Sequence, residues 1–547
     1  MIKEKCETES GIEVKEVYRP EDVADLDYGQ DLGDPGKYPF TRGMYEHMYR
    51  GRTWQEYVLV GFGTTRDTNE RLRYLREQLG QPMLNVILDM PSNYGLDSDH
   101  PMAQKEAGQV GIPLSSLEDM EQLCEGIPIE EVNLSFQTCP GDGHLLMLAQ
   151  YIAVAQKRGI DLTRLRGSMG APPTHRFFGY PSPQPLDLSY RVYIDSLEWC
   201  ARNKLRLFYM NDAGHVFREN SITPVQEMTL VLQTAREISG ALIARGLSID
   251  DFASRFMSVL GIGMDFFEEV CKVRAGRRIW ARIAKELGAQ NPRTCAFNFV
   301  AHSCGSTMTY QQPLNNITRG TIHALASAFG GCQGISIATF DEPLCVPTKL
   351  ASRVALDTLR IIEHETGIMD VIDPLAGSYY VEWLTDEMEK KIVAMMDEIE
   401  EMGGIARAAE KGWVQQMLDK EQWRRKEAID KGEKIVVGVN KFRVPPDEEE
   451  KIELHQNPPE STERQVENVR RLRQRRDNGE VRQALDRLWQ DTREGKNVMP
   501  AVIEAVKAYA TTGEIWGVMR EASGYSYDPF NMIESPFKFG YEGVAAR

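Results

Sequence analysis

The sequence predicts an α/β fold, a (β/α)8 TIM barrel with an N-terminal arm and a C-terminal helical extension. Three observations carry that expectation. Eight short, β-rich apolar runs recur between Tyr57 and Phe340. Longer amphipathic stretches separate them. Polar residues and glycines cluster just after the runs, at the C-terminal strand ends where a parallel barrel keeps its chemistry. A doubly wound open sheet is the rival arrangement of the same alternation.

Taken in order, residues 1–37 are polar, acidic and punctuated by Gly and Pro, and read as an arm suited to gripping a partner. The strand candidates are 57–62, 84–90, 131–137, 165–169, 205–210, 255–260, 294–300 and 334–340. Helix candidates lie at 66–79, 144–158, 188–202, 224–245, 264–288, 311–329 and 347–367, with a short one near 115–125. The 224–245 stretch is the clearest: Met228, Val231, Leu232, Ala235, Ile238 and Leu242 share a face, and Pro224 suits a first helical turn. The barrel is expected over 38–420. Residues 421–465 are Pro- and charge-rich and read as a linker, and 466–547 as a helical segment and tail. No repeat of 20–50 residues is present.

Composition narrows the function. Of 547 residues, 42% are hydrophobic and 27% charged, enough for a large core. The formal net charge of −17 argues against a general nucleic-acid binder, which needs counter-charge for phosphates. No run approaches the ~18 apolar residues of a membrane span, and the charged start MIKEKCETES lacks the apolar core of a signal peptide. Nine cysteines without a CxxC pair read as reduced thiols, so a cytoplasmic location is expected.

Few local motifs carry chemistry alone. Asp142-Gly143-His144 begins like the cobalt-ligating DxHxxG signature, but Met147 stands where its last glycine belongs, so His144 reads as an ordinary helix-start histidine. GIGMDF (261–266) lacks the third glycine of a dinucleotide loop and reads as a tight strand-to-helix turn. His302 and Cys304 lack the further ligands a metal needs, so none is expected and pocket lining is the simpler role. His215 follows a strand end beside Asp212. It is equally readable as a general acid toward a carbonyl oxygen or as a loop histidine.

Longer motifs are more specific. YPFTRGMYEHMY (38–49), LDMPSNYGLDSDHP (88–101), GIGMDFFEEVCKVRAGRRIW (261–280), QQPLNNITRG (311–320) and DPLAGSYYVEWLTDEME (373–389) resemble the large-subunit barrel of the adenosylcobalamin-dependent acyl-CoA mutases. The resemblance runs from about Tyr38 to about Tyr525. It implies a barrel threaded by the acyl-CoA arm and a radical 1,2-rearrangement of the acyl group. It also implies a separate small cobalamin-binding subunit, since no cobalamin domain is recognisable here, and a heterotetramer. The resemblance places Tyr45, Met48, Arg52, Asn85, Arg255 and Gln333 on the substrate, with Arg52 and Arg255 toward the CoA phosphates. Glu219 and Glu342 match glutamates that contact the adenosyl ribose.

The departures gather at the acyl pocket. Leu59 replaces a tyrosine of the methylmalonyl-CoA enzymes that presses on adenosyl group and substrate; isobutyryl-CoA mutases have phenylalanine and 2-hydroxyisobutyryl-CoA mutases isoleucine there. His175 aligns with the arginine that holds a free carboxylate, and Arg176 is adjacent; either can meet a carboxylate, or a shortened loop carries both away. In GHVFRENSIT (214–223), His215 falls one position from the family's proposed acid and remains the candidate catalytic residue. His302 replaces a glutamine. Space gained with a cation retained suggests a bulky branched acyl-CoA, an aryl- or alkyl-substituted succinyl-CoA. Isobutyryl-CoA, 2-hydroxyisobutyryl-CoA and methylmalonyl-CoA are the alternative substrates, and a non-catalytic binding homologue is the alternative of another class.

Overall fold

A computed structural model describes residues 6–139, 141–445, 447–537 and 539. The first five residues of the expected arm and the end of the expected tail lie outside them. The fold class is α/β. In chain order the strands are β1 Cys6–Glu7, β2 Glu13–Val14, β3 Gln55–Glu56, β4 Leu59–Val60, β5 Met83–Ile87, β6 Asn133–Gln137, β7 Met210–Asp212, β8 Phe256–Ile262, β9 Asn298–Ser303 and β10 Gly334–Ser336. The principal helices are α1 Thr65–Glu77, α2 Leu117–Leu123, α3 His144–Lys157, α4 Leu186–Arg202, α5 Gly214–Glu219, α6 Pro224–Ala244, α7 Phe266–Glu286, α8 Asn315–Gly330, α9 Lys349–Glu365, α10 Tyr379–Met402, α11 Trp413–Asp430, α12 Ser461–Arg475, α13 Asn478–Arg493, α14 Met499–Lys507 and α15 Thr512–Ala522.

Contacts divide the chain into two compact units, Met1–Val58 with Asp212–His455, and Leu59–Asn211 with Gln456–Arg547. The helical segment expected after 466 belongs to the second unit. Gln465 Nε2 donates to Asp119 at 2.9 Å and Thr512 Oγ1 to the Leu114 carbonyl at 2.7 Å. The expected linker at 421–465 begins as helix, because α11 continues to Asp430.

In the first unit, β3, β10, β9 and β8 run side by side in parallel. In the second, β4, β5 and β6 do the same. Of the strand expected at 57–62 only β4, Leu59–Val60, is present, and β3 just before it belongs to the other sheet. The strands expected at 165–169 and 205–210 survive mostly as isolated parallel bridges, Phe136 to Met169 and Ser168 to Phe208. Gly167, at φ 115°, explains the interruption: a β-carbon there would sit 2.0 Å from the Leu134 carbonyl oxygen.

The helices start as their sequences direct. Thr64 caps α1 and Thr223 caps α6, each with a side chain three residues on returning the bond, and Pro224 opens the first turn of α6. The 24-residue α10 is an addition to the expected helices. It pairs with α7, whose Arg274, Arg277 and Arg278 are all buried. Arg274 forks onto Asp373 and Glu382, Arg277 donates to the Phe40 and Thr41 carbonyls at 2.9 Å, and Arg278 reaches Asp386 and Glu389.

Candidate functional site

In a parallel sheet, directly paired residues share a face. In the first unit Gly261, His302 and Ser336 pair across β8, β9 and β10. The opposite face carries Phe299, which packs toward α7 at Gly276. In the second unit Leu59, Asn85 and Ser135 form the equivalent row across β4, β5 and β6, while Phe136 faces Tyr151 of α3. Closed parallel barrels usually fill such rows with Val, Ile and Leu. Here they carry small polar side chains, and the buried Asn85 Oδ1, Asn298 Oδ1, His302 Nδ1 and Ser336 Oγ have no hydrogen-bond partner. Buried polar atoms of this kind call for a polar ligand, since each unmet group costs about 1–3 kcal/mol.

Four of the expected residues of the first unit, His215, Glu219, His302 and Glu342, lie at the C-terminal strand ends or just beyond. The His215 and His302 rings meet edge to face at 5.2 Å. Burial pushes the His302 imidazole down to about 4, so it is neutral at pH 7. His323, on α8, is pushed to about 3 by burial and lies 3.4 Å from the Thr307 hydroxyl. Glu219, at the end of α5, accepts the Gly305 and Ser306 amides at 2.7 and 2.6 Å. Burial raises its carboxyl nonetheless. Glu342 is pushed up to about 7 by burial and then by the charges of Glu219 and Asp341.

The other expected residues of this unit have different surroundings. The Arg52 guanidinium lies 5.7 Å from the Tyr45 ring. Met48 is buried. The Gln333 side chain is held between β9 and its own turn, accepting the Phe299 amide at 3.2 Å and donating to the Gly331 carbonyl at 2.7 Å. Arg255 precedes β8, at the end away from Gly261 and His302.

In the second unit His175 is fully buried, with its Nδ1 3.6 Å from the Cys139 sulfur. Arg176 corrects an expectation. It donates to both Asp142 oxygens (3.0 and 3.3 Å), to Ser189 Oγ, and to the Gln184 and Pro173 carbonyls. Each guanidinium nitrogen already donates to a protein acceptor and Asp142 already pairs the charge, so Arg176 is not a free cation for a substrate carboxylate. His144 packs on Tyr193 at 4.8 Å and meets Ser196 Oγ at 3.1 Å, a core histidine.

Sequence reading passed over the charged node beneath α5. Arg218, between the helix's two candidate residues, donates to Glu9 at 3.0 Å and Glu269 at 2.9 Å. Lys272 bridges Glu227 and Glu269 at 2.6 and 2.5 Å and donates to the Gly261 carbonyl. The GIGMDF glycines admit this node. A β-carbon on Gly261 would lie 2.7 Å from Arg218 Cβ, and one on Gly263 2.8 Å from Arg218 Nη2. A usable signal was present: Glu268, Glu269 and Lys272 occupy adjoining turns of a helix that is otherwise buried.

The methylmalonyl-CoA mutase family matches residues 7–525. The 2-hydroxyisobutanoyl-CoA mutase large subunit of Aquincola tertiaricarbonis is 38% identical over 529 residues, covering 95% of this chain and 93% of that protein. The methylmalonyl-CoA mutase of Rhizobium meliloti is 35% identical over 548 residues, covering 98% of this chain and 75% of its own length. The human mitochondrial enzyme is 32% identical over 542 residues. The chain belongs to the methylmalonyl-CoA mutase family, a TIM-barrel family of adenosylcobalamin-dependent acyl-CoA mutases, and is an isomerase of that class.

Proposed function

We propose that the chain is the substrate-binding large subunit of a heteromeric mutase acting on a bulky branched acyl-CoA, an aryl- or alkyl-substituted succinyl-CoA. The observation that carries this is Leu59. It stands where the methylmalonyl-CoA and isobutyryl-CoA mutases are expected to place an aromatic ring and the 2-hydroxyisobutyryl-CoA mutases an isoleucine, and it is only partly buried although its strand neighbours are covered. Tyrosine-to-leucine removes the far end of the ring and its hydroxyl on the face shared with Asn85. Arg176 being spent on Asp142, His175 is the remaining candidate for a polar group on the acyl moiety.

The residues present fit the adenosyl part of the cofactor. Glu219 and Glu342 offer two neighbouring carboxylates, the acceptor set for a vicinal diol. When bound, adenosylcobalamin supplies the hydrogen-abstracting radical chemistry. The chain contributes binding, orientation and dryness. The unpartnered Asn298 and Ser336 groups of the first unit suit the amides of a pantetheine arm. His215 is placed to donate a proton toward a thioester carbonyl, with neutral His302 fixing its ring from the side. A small cobalamin-binding subunit, a heterotetramer and a cytoplasmic location complete the reading. Free cysteines throughout the described residues agree with the last of these.

The test combines the chain with a small cobalamin-binding subunit, adenosylcobalamin and a panel of CoA esters, reading kcat/KM and the substrate-triggered cobalt(II) resonance. Best turnover on methylmalonyl-CoA would overturn the substrate proposal. No cobalt(II) signal with any ester would favour the non-catalytic homologue.

A further inference from the structure

The first unit spends part of its N-terminal arm on its own interior. Thr8 Oγ1 and the Ser10 amide donate to Glu268 Oε1 at 2.9 and 3.0 Å, and the Glu9 amide donates to Glu268 Oε2 at 2.9 Å and to Asp265 at 3.2 Å. Three consecutive residues thus bring four donor contacts to an acid pair at the start of α7. The Glu9 carboxylate turns the other way, onto Arg218. Arg424 of α11 ties the Glu9 carbonyl at 2.6 Å, and Ser10 Oγ accepts the Val225 amide at 3.3 Å. Ile12 is buried behind them.

Arg218 is the hinge of this arrangement. It lies on the one and a half turns of α5 that carry His215 and Glu219, and its other fixed partners are Glu269 and the Ile222 carbonyl. Glu219 is fixed from the far side by the Gly305 and Ser306 amides, and the Ser306 carbonyl is held by Arg425 at 2.5 Å. A helix of six residues has too few internal bonds to hold its own shape. Its side chains point where Arg218 and these loops put them.

We propose that Thr8-Glu9-Ser10 is a positioning clip for α5, so that His215 and Glu219 take their places only when the arm is docked. The inference rests on the mutase reading for what those two residues do, and goes beyond it in assigning the arm an internal task. The charged groups facing Glu9 are Arg218, Arg425, Lys434, Asp265 and Glu268. Only Arg218 among them belongs to α5.

Hydrogen–deuterium exchange on the full chain tests the clip directly. Glu9→Gln keeps the side chain's size and weakens a charge-assisted bond. Peptides covering 212–222 should exchange about tenfold faster or more, while α3 peptides at 144–157 stay protected. Deleting residues 1–12 should exceed that effect in the same peptides, with α3 again reporting that the fold persists. Unchanged protection at 212–222 in Glu9→Gln overturns the proposal. With the cobalamin-binding subunit and adenosylcobalamin added, Glu9→Gln should lower kcat about 10–100-fold with little change in KM for the acyl-CoA. Loosened peptides with wild-type kcat would also overturn the positioning role. Faster exchange in a chain that turns over no ester would uphold the clip and sink the mutase reading, so the two fail separately.

Discussion

Gly261→Ala is the sharpest test of the buried node. The residue lies in β8, paired with His302 of β9, and its own amide and carbonyl are held by Glu227 and Lys272, so its backbone has little freedom to retreat. Its φ is ordinary for any residue, which leaves sterics as the whole effect. The new β-carbon would meet Arg218 Cβ at 2.7 Å, Arg218 Cγ at 2.8 Å and Cys304 Sγ at 2.9 Å, against the ~3.5–4.0 Å of comfortable contact. If Arg218 yields by a rotamer adjustment, overpacking costs about 1–3 kcal/mol. If it leaves Glu9 and Glu269, the cost approaches the ~3–5 kcal/mol of a broken buried ion pair. Urea titration followed by tryptophan fluorescence reads the difference, since Trp280 of α7 is fully buried in the same unit. Gly240→Ala is the matched control. It is exposed within α6 and its β-carbon would touch nothing, so it should stabilise by about 0.5–1 kcal/mol. A Gly261→Ala chain unfolding at the wild-type urea concentration would show that Arg218 is not packed as described.

Other expectations follow from the same geometry. His215→Ala should slow turnover about 10²–10⁴-fold if it donates to the thioester carbonyl; unchanged kcat reassigns that role. Arg176→Met should lower the unfolding midpoint sharply, because Asp142 would keep a buried charge without its cation; a defect confined to KM would restore a substrate-facing Arg176. Glu342 has a raised carboxyl pKa, so the folded chain holds its proton more tightly than the unfolded chain. That stabilisation is present below the unfolded value near 4.5 and is lost as pH rises to about 7. Glu342→Gln should therefore gain on wild type between pH 5 and pH 8 in urea midpoints, and a constant difference across that range would refute it. Leu59→Tyr should shift relative kcat/KM toward methylmalonyl-CoA; an unchanged ester ranking would remove Leu59 as the size filter.

Much of the scaffold was legible because helices announce themselves locally. Thr223-Pro224 and the face from Met228 to Leu242 give α6 to within a residue at each end. Strands depend on partners, and the weak ones failed for that reason: 165–169 reads as β-rich, yet Gly167 must take a left-handed conformation under the Leu134 carbonyl. The resemblance singled out Glu219 and Glu342, and the structure buries both, with Glu219 among the charges that raise Glu342. The site was illegible where a side chain's duty depends on a distant neighbour. Nothing adjacent to Arg176 says that Asp142 will claim it, and nothing around Glu9 points to Arg218, 209 residues away.

The three buried arginines of α7 have a consequence for assembly. Their acceptors come from segments remote in the chain: the Phe40 and Thr41 carbonyls, Asp373, and the Glu382, Asp386 and Glu389 face of α10. Apolar surfaces tolerate sliding, since one methyl replaces another at little cost. A guanidinium docked one helical turn out of place finds no acceptor and keeps its full desolvation penalty. The ionic spine thus works as a proofreader: it adds little to the drive for collapse, but it rejects every alignment of these segments except the native one.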